Sequence, residues 1–454
     1  MQQTAHAFPV LKAVLNHRTS HIEALRELYE GFALKNKNAE NISEEERSDY
    51  HLYAVNLTLE HVWNNNPYYR KALKDKGFSQ PRLESLDQID RLPFLEKEVI
   101  RGDKDLLLSC DRKEIGQIHL TSGTTGKPIY TAYTLADHYI HDAIPFYPSL
   151  FEGDSSSDVV GIALPYEFAQ PALGFQRLYQ FTFGATVLSL GKGGYMAPVD
   201  KSLDVLKEYD ASILITTPSY AALLAEEGEK LGIVPGEDIT PRKLMLTGEG
   251  CSPQFASRLK ELWKCDIQHL YGSTECGLVG VQLNDDAGYH LLEGNVKVEI
   301  IDPDSGMQVA DGEEGEVVIT TLLREAMPFI RYRTGDIGYL EKMEDDSAIT
   351  LSKLHLRGRM DGNMLVDGIP YSPFMLEHLL LLLPEVGLWY HFVLEDEELT
   401  IEIEKLHSDL TDEELADKVQ SHMYRTAGIS CTVLVKDSLP RQFGKANRII
   451  RKGM

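Results

Sequence analysis

Thr121, Ser122, Gly123, Thr124, Thr125, Gly126, Lys127 and Pro128 follow directly on Ile118-His119-Leu120. Small residues let backbone N–H groups close on anionic oxygens, the hydroxyls add donors and the lysine adds a point charge, so the run reads as a phosphate-binding loop. It is not the P-loop of nucleoside triphosphatases, because the glycine spacing is shorter and Pro128 stands where that motif needs Ser or Thr. A second group, Tyr271-Gly272-Ser273-Thr274-Glu275, offers an aromatic face for a base, a hydroxyl for a phosphate and a carboxylate for Mg²⁺. In a third, Arg331-Tyr332-Arg333-Thr334-Gly335-Asp336, a carboxylate after a turn suits ribose hydroxyls. Gly358-Arg359-Met360-Asp361 and Gly444-Lys445-Ala446-Asn447-Arg448 complete the series. Five such signals in order specify a nucleotide site far more sharply than any one of them.

These residues need a scaffold, and the chain alternates in the way that builds one. Between roughly 157 and 320, β-rich runs (Val159 to Leu164, Thr186 to Leu190, Ile213 to Thr216, Lys243 to Leu246) alternate with helical stretches (Ser202 to Glu208, Tyr220 to Leu231, Ser252 to Trp263). That predicts βαβ units around a largely parallel sheet. Val296 to Ile301 and Gly315 to Thr321, joined through the turn Asp302 to Gly306, predict an antiparallel addition. From His21 to about Tyr69 apolar residues recur at helical spacing, and Asn64-Asn65-Asn66-Pro67 predicts a stop. The best domain boundary falls near Arg359 to Gly362, with a short α+β segment beyond it carrying a helix at Pro373 to Leu382 and a strand at Leu399 to Glu404.

At 454 residues the chain exceeds one ordinary core. A formal charge of −25 argues against broad nucleic-acid binding, so a phosphorylated ligand must be held by local groups. No apolar run is long enough to span a bilayer and the start lacks a signal-peptide pattern, so a cytoplasmic protein is expected, with no membrane partner. The five cysteines form no Cys-x-x-Cys pair; Cys251, Cys265 and Cys276, with His290, read as separate core residues rather than a metal site.

Over about residues 50 to 454 the chain resembles the adenylate-forming, AMP-binding superfamily and, within it, the phenylacetate-CoA ligase-like branch. The resemblance rests on the five motifs together with Asn66-Pro67-Tyr68-Tyr69-Arg70, Leu92-Pro93-Phe94-Leu95-Glu96-Lys97 and the stretch from Gly288 through Arg324-Glu325-Ala326-Met327-Pro328 to Asp336. It implies an α/β fold: a large N-terminal domain (1–360, with 1–70 a helical lead-in) of mixed sheets flanked by helices, and a small mobile α+β C-terminal domain (361–454). The implied chemistry is ATP-dependent activation of a carboxylic acid to an acyl-adenylate, then transfer to CoA. An amine or a carrier-protein thiol is the alternative acceptor, and a non-catalytic nucleotide-binding protein the remote one. Related enzymes are often dimers, which puts a homodimer among the expectations.

Carried over residue by residue, the resemblance implies that Thr121, Ser122, Gly123, Thr124, Thr125, Gly126 and Lys127 hold the β- and γ-phosphates. Tyr271, with Gly272 and Ser273, packs on adenine, Thr274 meets the α-phosphate and Glu275 binds Mg²⁺. Asp336 holds the ribose with Arg359, Lys445 bridges the attacking carboxylate and the α-phosphate, and Asp361 is the hinge. Tyr166, Phe168, Phe175, Tyr220, Gly248, Glu249 and Gly250 line the acid pocket, a mixture of aromatic and small residues that favours an aryl or cyclic acid. Three departures bear on the acceptor. Gly362 replaces a second Asp after the hinge, Asp367 replaces a basic residue before Gly368, and the acidic loop Glu341 to Asp346 replaces a cysteine-rich segment.

Overall fold

The computed structural model describes residues 39–121, 127–141, 147–284, 286–406, 408–441 and 446–452, with backbone alone at 139–141 and Asp361. Helix α1 (Glu44–Asn65) opens on a capping box in which Ser43 and Glu46 exchange hydrogen bonds. The asparagine run ends it, and Asn66 then caps α2 (Pro67–Asp75), its side chain accepting from the Tyr69 N–H with proline in the first turn. The predicted stop is therefore a corner between two helices. The part of the expected lead-in before residue 39 lies outside the described residues. Helix α3 (Lys97–Gly102) precedes a hairpin of β1 (Ile115–Leu120) and β2 (Tyr130–Thr134), which runs into α4 (Leu135–His141).

The alternating region forms as expected. Strands β3 (Val159–Ala163), β4 (Thr186–Ser189), β5 (Ile213–Thr216), β6 (Lys243–Thr247) and β7 (Asp266–Ser273) alternate with α5 (Gln170–Arg177), α6 (Val199–Glu208), α7 (Pro218–Leu231) and α8 (Pro253–Trp263). A π-helical turn, Leu178–Phe183, extends α5 and ends at Gly184 in the left-handed region. Strands β8 (Gly277–Gln282), β9 (Tyr289–Leu291), β10 (Val296–Ile301), β11 (Gly315–Thr321), β12 (Tyr332–Glu341) and β13 (Lys353–Arg359) add an antiparallel half. Among the described residues the result is one eleven-stranded sheet in the order β10-β11-β12-β13-β9-β8-β7-β6-β5-β3-β4. Pairing is parallel from β4 to β7 and antiparallel from β7 outward. The central parallel strands β3, β5 and β6 are buried on both faces, as cover by helices requires, β5 and β6 throughout.

After the turn Met360–Gly362 come the hairpin β14 (Met364–Val366) and β15 (Ile369–Tyr371), α9 (Pro373–Leu381), β16 (Val386–Glu395), β17 (Glu398–Lys405), α10 (Asp412–Ala427), β18 (Cys431–Lys436) and β19 (Ile449–Lys452). This α+β part has its own four-stranded sheet, β18-β17-β16-β19. One apolar cluster joins its Leu376 and Leu380 to Leu259 and Trp263 of α8. At that seam Arg258 of α8 is buried and donates to the carbonyl oxygens of Leu381, Leu383 and Val386, satisfying the open C-terminus of α9 from across the interface. Among the described residues no helix is long and apolar enough to cross a membrane.

Candidate active site

In an open α/β sheet the loops leaving the carboxyl ends of parallel strands surround a crevice. Here Leu164, Thr217, Gly248 and Thr274, each just past the end of β3, β5, β6 or β7, line one cavity of about 1100 Å³. Asp336 and Arg359 of the antiparallel half close one side of it, and Asn447, Ile449 and Arg451 of the C-terminal part cover another.

On the nucleotide side the motif residues converge. A side chain on Gly272 would bring a Cβ 2.4 Å from the Gly277 carbonyl oxygen, so only glycine permits the tight β7–β8 hairpin that presents Thr274 and Glu275. Ser273 Oγ accepts from the Cys276 N–H at 3.0 Å and closes that turn. The third motif works by strand alternation: Tyr332, Thr334 and Asp336 line the cavity, while Arg331 pairs with Glu299 at 3.0 Å and Arg333 pairs with Glu316. Tyr271 donates its phenol to Asp336 Oδ2 at 2.6 Å, which ties the second motif to the third. Burial, then the Asp336 charge, push that phenol well above its ordinary range, so it stays a donor. Arg359 lies opposite Asp336 in the β12–β13 register, its Nη1 3.5 Å from Oδ1. Glu275 is buried; Tyr332 donates to its Oε1 at 3.2 Å and Arg324 holds its backbone oxygen.

The first motif falls between β1 and β2. Thr121 closes its neck: its N–H donates to the Ile129 oxygen at 3.0 Å and its Oγ1 accepts from the Ile129 N–H at 2.9 Å. Lys127 is exposed, and Ser122, Gly123, Thr124, Thr125 and Gly126 lie outside the described residues. Beneath the hairpin, His119, Tyr133 and His138 stack edge-on and face-on, with the Arg324 guanidinium over Tyr133. Burial, reinforced by Arg177, holds His119 down at about 4 and His138 at about 3, so both are neutral.

On the acid side Phe168, Phe175 and Gly248 line the cavity, together with Leu178, Leu278 and Val279. Tyr166, Tyr220, Glu249 and Gly250 are not among the residues that line it. Phe168 has a left-handed backbone (φ 55°) and is largely exposed at the rim. Glu249 accepts from the Ser219 N–H and Oγ at 3.2 and 2.8 Å and from the Ala446 N–H at 3.3 Å.

Lys445 lies outside the described residues, but both flanks of segment 442–445 are held on the large part: Ala446 by Glu249, and Arg441 by Glu226 at 2.8 Å. Asp361 falls in the turn Met360–Gly362 that leads out of β13. Asp367 is exposed at the tip of the β14–β15 hairpin with φ 50°, followed by Gly368 at 75°, the turn geometry that Asp-Gly favours.

The motifs did not point to Lys97, Arg101, Lys192 and Arg451, which also line the cavity. With Arg359 they make five cations against Glu167, Glu275 and Asp336, a reversal of the chain's 45 basic to 70 acidic residues and the local compensation a polyanion needs. Lys192 was legible only by position, as the one charged residue in Gly191-Lys192-Gly193-Gly194 just past a parallel strand. The cysteines are separate and free, and among the described residues no group of three His, Cys, Asp or Glu could hold a metal ion alone.

A family described as AMP-binding enzyme matches residues 60–322. The phenylacetate-coenzyme A ligase of Aromatoleum evansii is 28% identical over 430 residues, covering 90% of this chain and 96% of that enzyme. The crystal structure of a 2-hydroxyisobutyryl-CoA ligase in its postadenylation state, bound to an acyl-AMP, superposes with a TM-score of 0.84 at 21% identity, covering 91% of each chain. The same ligase in its thioesterification state, covering 91% of each chain at 22% identity, gives 0.66.

Proposed function

Because the chain belongs to the AMP-binding enzyme family, we propose that it activates an aryl or cyclic carboxylic acid with ATP and transfers the acyl group to CoA. The observation that carries this reading is the convergence of Tyr271, Thr274, Glu275, Asp336 and Arg359 on one cavity that also holds an apolar acid-sized wall. A carboxylate is a poor electrophile. Its oxygen attacks the α-phosphorus, pyrophosphate leaves, and the resulting mixed anhydride is attacked at its carbonyl carbon by a thiol, with AMP departing. The work left to the protein is positioning and charge neutralisation.

Tyr271 and Asp336, locked together, present adenine and ribose; Thr274 and the loop 121–127 receive the phosphates; Lys445 supplies charge at the α-phosphate. Glu275 fits a Mg²⁺ role: its carboxylate faces the cavity and takes one described hydrogen bond, and a phosphate-bound Mg²⁺ needs only one or two protein carboxylates. When bound, the ion neutralises phosphate charge. Residues beyond Asp361 form the mobile unit in this proposal, and the bonds that hold Ala446 to Glu249 and Arg441 to Glu226 of the large part support it. The exposed turn position of Asp367 gives that carboxylate a local reason of its own, independent of the acceptor.

The test is ATP–pyrophosphate exchange across aryl, cyclic and alkyl acids, followed by mass spectrometry with CoA present. Acid-dependent exchange and an acyl-CoA product are expected. Exchange with a persistent adenylate or an amide would replace CoA by another acceptor, and no exchange with any acid would overturn the reading.

A further inference from the structure

Lys192 is the feature of the cavity that adenylation leaves unexplained. Glycines with positive φ on both sides, Gly191 and Gly193 (each 68°), turn the chain after β4 so that this side chain runs into the wall. It is 4% exposed yet lines the cavity. Its Nζ donates to Thr217 Oγ1 at 2.7 Å, stands 3.5 Å from Glu249 Oε1 and lies over the Tyr220 ring at 5.7 Å. Burying an ammonium costs free energy even when it is paired, so an apolar acid would be served as well by an apolar residue here.

Position decides which substrate this cation meets. Thr217 directly follows β5, and in the sheet order β5 lies two strands beyond β7, on the side away from β12, which carries Asp336. That is about 10 Å across the sheet, so Lys192 stands apart from the residues assigned to the nucleotide and beside Thr217 and Gly248 of the cavity wall. Charge decides the chemistry. Glu249 already offsets Lys192, and its oxygens are occupied by Ser219 and Ala446. At this position a second carboxylate would compete with Glu249 for the same buried cation, whereas a neutral oxygen would add no charge beside it.

We propose that the acid activated at this site carries, away from its reacting carboxyl, a neutral oxygen acceptor such as a hydroxyl group that takes a hydrogen bond from Lys192. This rests on the adenylation reading above. The experiment compares kcat/KM for ATP–pyrophosphate exchange with phenylacetate, its ortho-, meta- and para-hydroxy derivatives and para-carboxyphenylacetate, in the wild type and in Lys192→Met. A hydrogen bond to a charged group corresponds to about a ten- to hundred-fold preference. The expected result is that preference for one hydroxylated acid in the wild type, carried mainly by KM, and its collapse towards unity in Lys192→Met. The wild-type ratio needs no variant. Ratios within about threefold of one, or a preference for the dicarboxylate, overturn the proposal while leaving adenylation standing. A preference that survives in Lys192→Met also overturns it, making Lys192 only the counter-charge of Glu249. Exchange with none of these acids overturns this assignment, and exchange with none of the wider aryl, cyclic and alkyl panel overturns the adenylation reading with it.

Discussion

Replacing Arg258 by methionine tests whether the seam between α8 and α9 sets the order of the two half-reactions. The guanidinium is buried and satisfies three carbonyl oxygens at the end of α9 and the start of β16. Burial lowers its pKa, but an arginine stays charged. Hydrogen bonds to a charged donor contribute about 1.5–3 kcal/mol each when their loss leaves the partner buried. On the proposed two-pose reading the carbonyls would regain water once the C-terminal part swings away, and methionine keeps much of the apolar contact. The net loss of docking is then about 2–3 kcal/mol rather than the sum of three bonds, or roughly 30- to 150-fold in the ratio of docked to undocked forms. Two measurements read it: amide hydrogen exchange over residues 373–386, and the separate rates of pyrophosphate exchange and of transfer from a supplied acyl-adenylate. Arg258→Met should raise amide exchange and slow adenylation while transfer is retained or faster. Equal slowing of both half-reactions, or protection and rates within about twofold of wild type, would refute the argument.

Lys445→Ala should abolish adenylate formation and leave transfer from supplied acyl-adenylate largely intact; parallel loss of both would remove the lysine from its assigned step. Glu275→Gln should weaken Mg²⁺-ATP use in the first step, checked by the Mg²⁺ dependence of exchange, and an unchanged dependence counts against the metal role. Stability should fall on acidification. Burial holds His51 at about 3 and His269 at about 4 in the folded state, against 6.5 as the ordinary value. Above that value neither form is protonated; below it the unfolded chain takes protons that the folded chain refuses, down to the folded pKa. Each histidine then costs about 1.4 kcal/mol per pH unit, and denaturant midpoints that stay flat from about pH 7 to pH 5 would contradict this.

How far the sequence could be read depended on whether a residue's role is local. Strands β3, β5 and β6 were legible because burial on both faces imposes continuous apolar runs between amphipathic helices. Tyr271, Glu275 and Asp336 were legible because turn chemistry and residue type travel together. The Tyr271–Asp336 bond was not, since 65 residues separate its partners and only sheet pairing brings them together. Nor was the absence of Tyr166 and Tyr220 from the cavity lining, which depends on how the loop after β3 and helix α7 pack against the sheet. Lys192 escaped because nothing in Gly191-Lys192-Gly193-Gly194 says that its charge is buried. The readings of Ser122 to Gly126 and of Lys445 concern residues outside those described.

Arg359 pairs with Asp336 on the last residue of β13, and the turn Met360–Gly362 begins at the next. On the proposed reading the sugar of the nucleotide is gripped by the strand that ends at the pivot. A fluorophore attached through the ribose hydroxyls would then sit beside that pivot, and its emission would record the swing of the C-terminal part in real time, turnover by turnover, without a label on the protein.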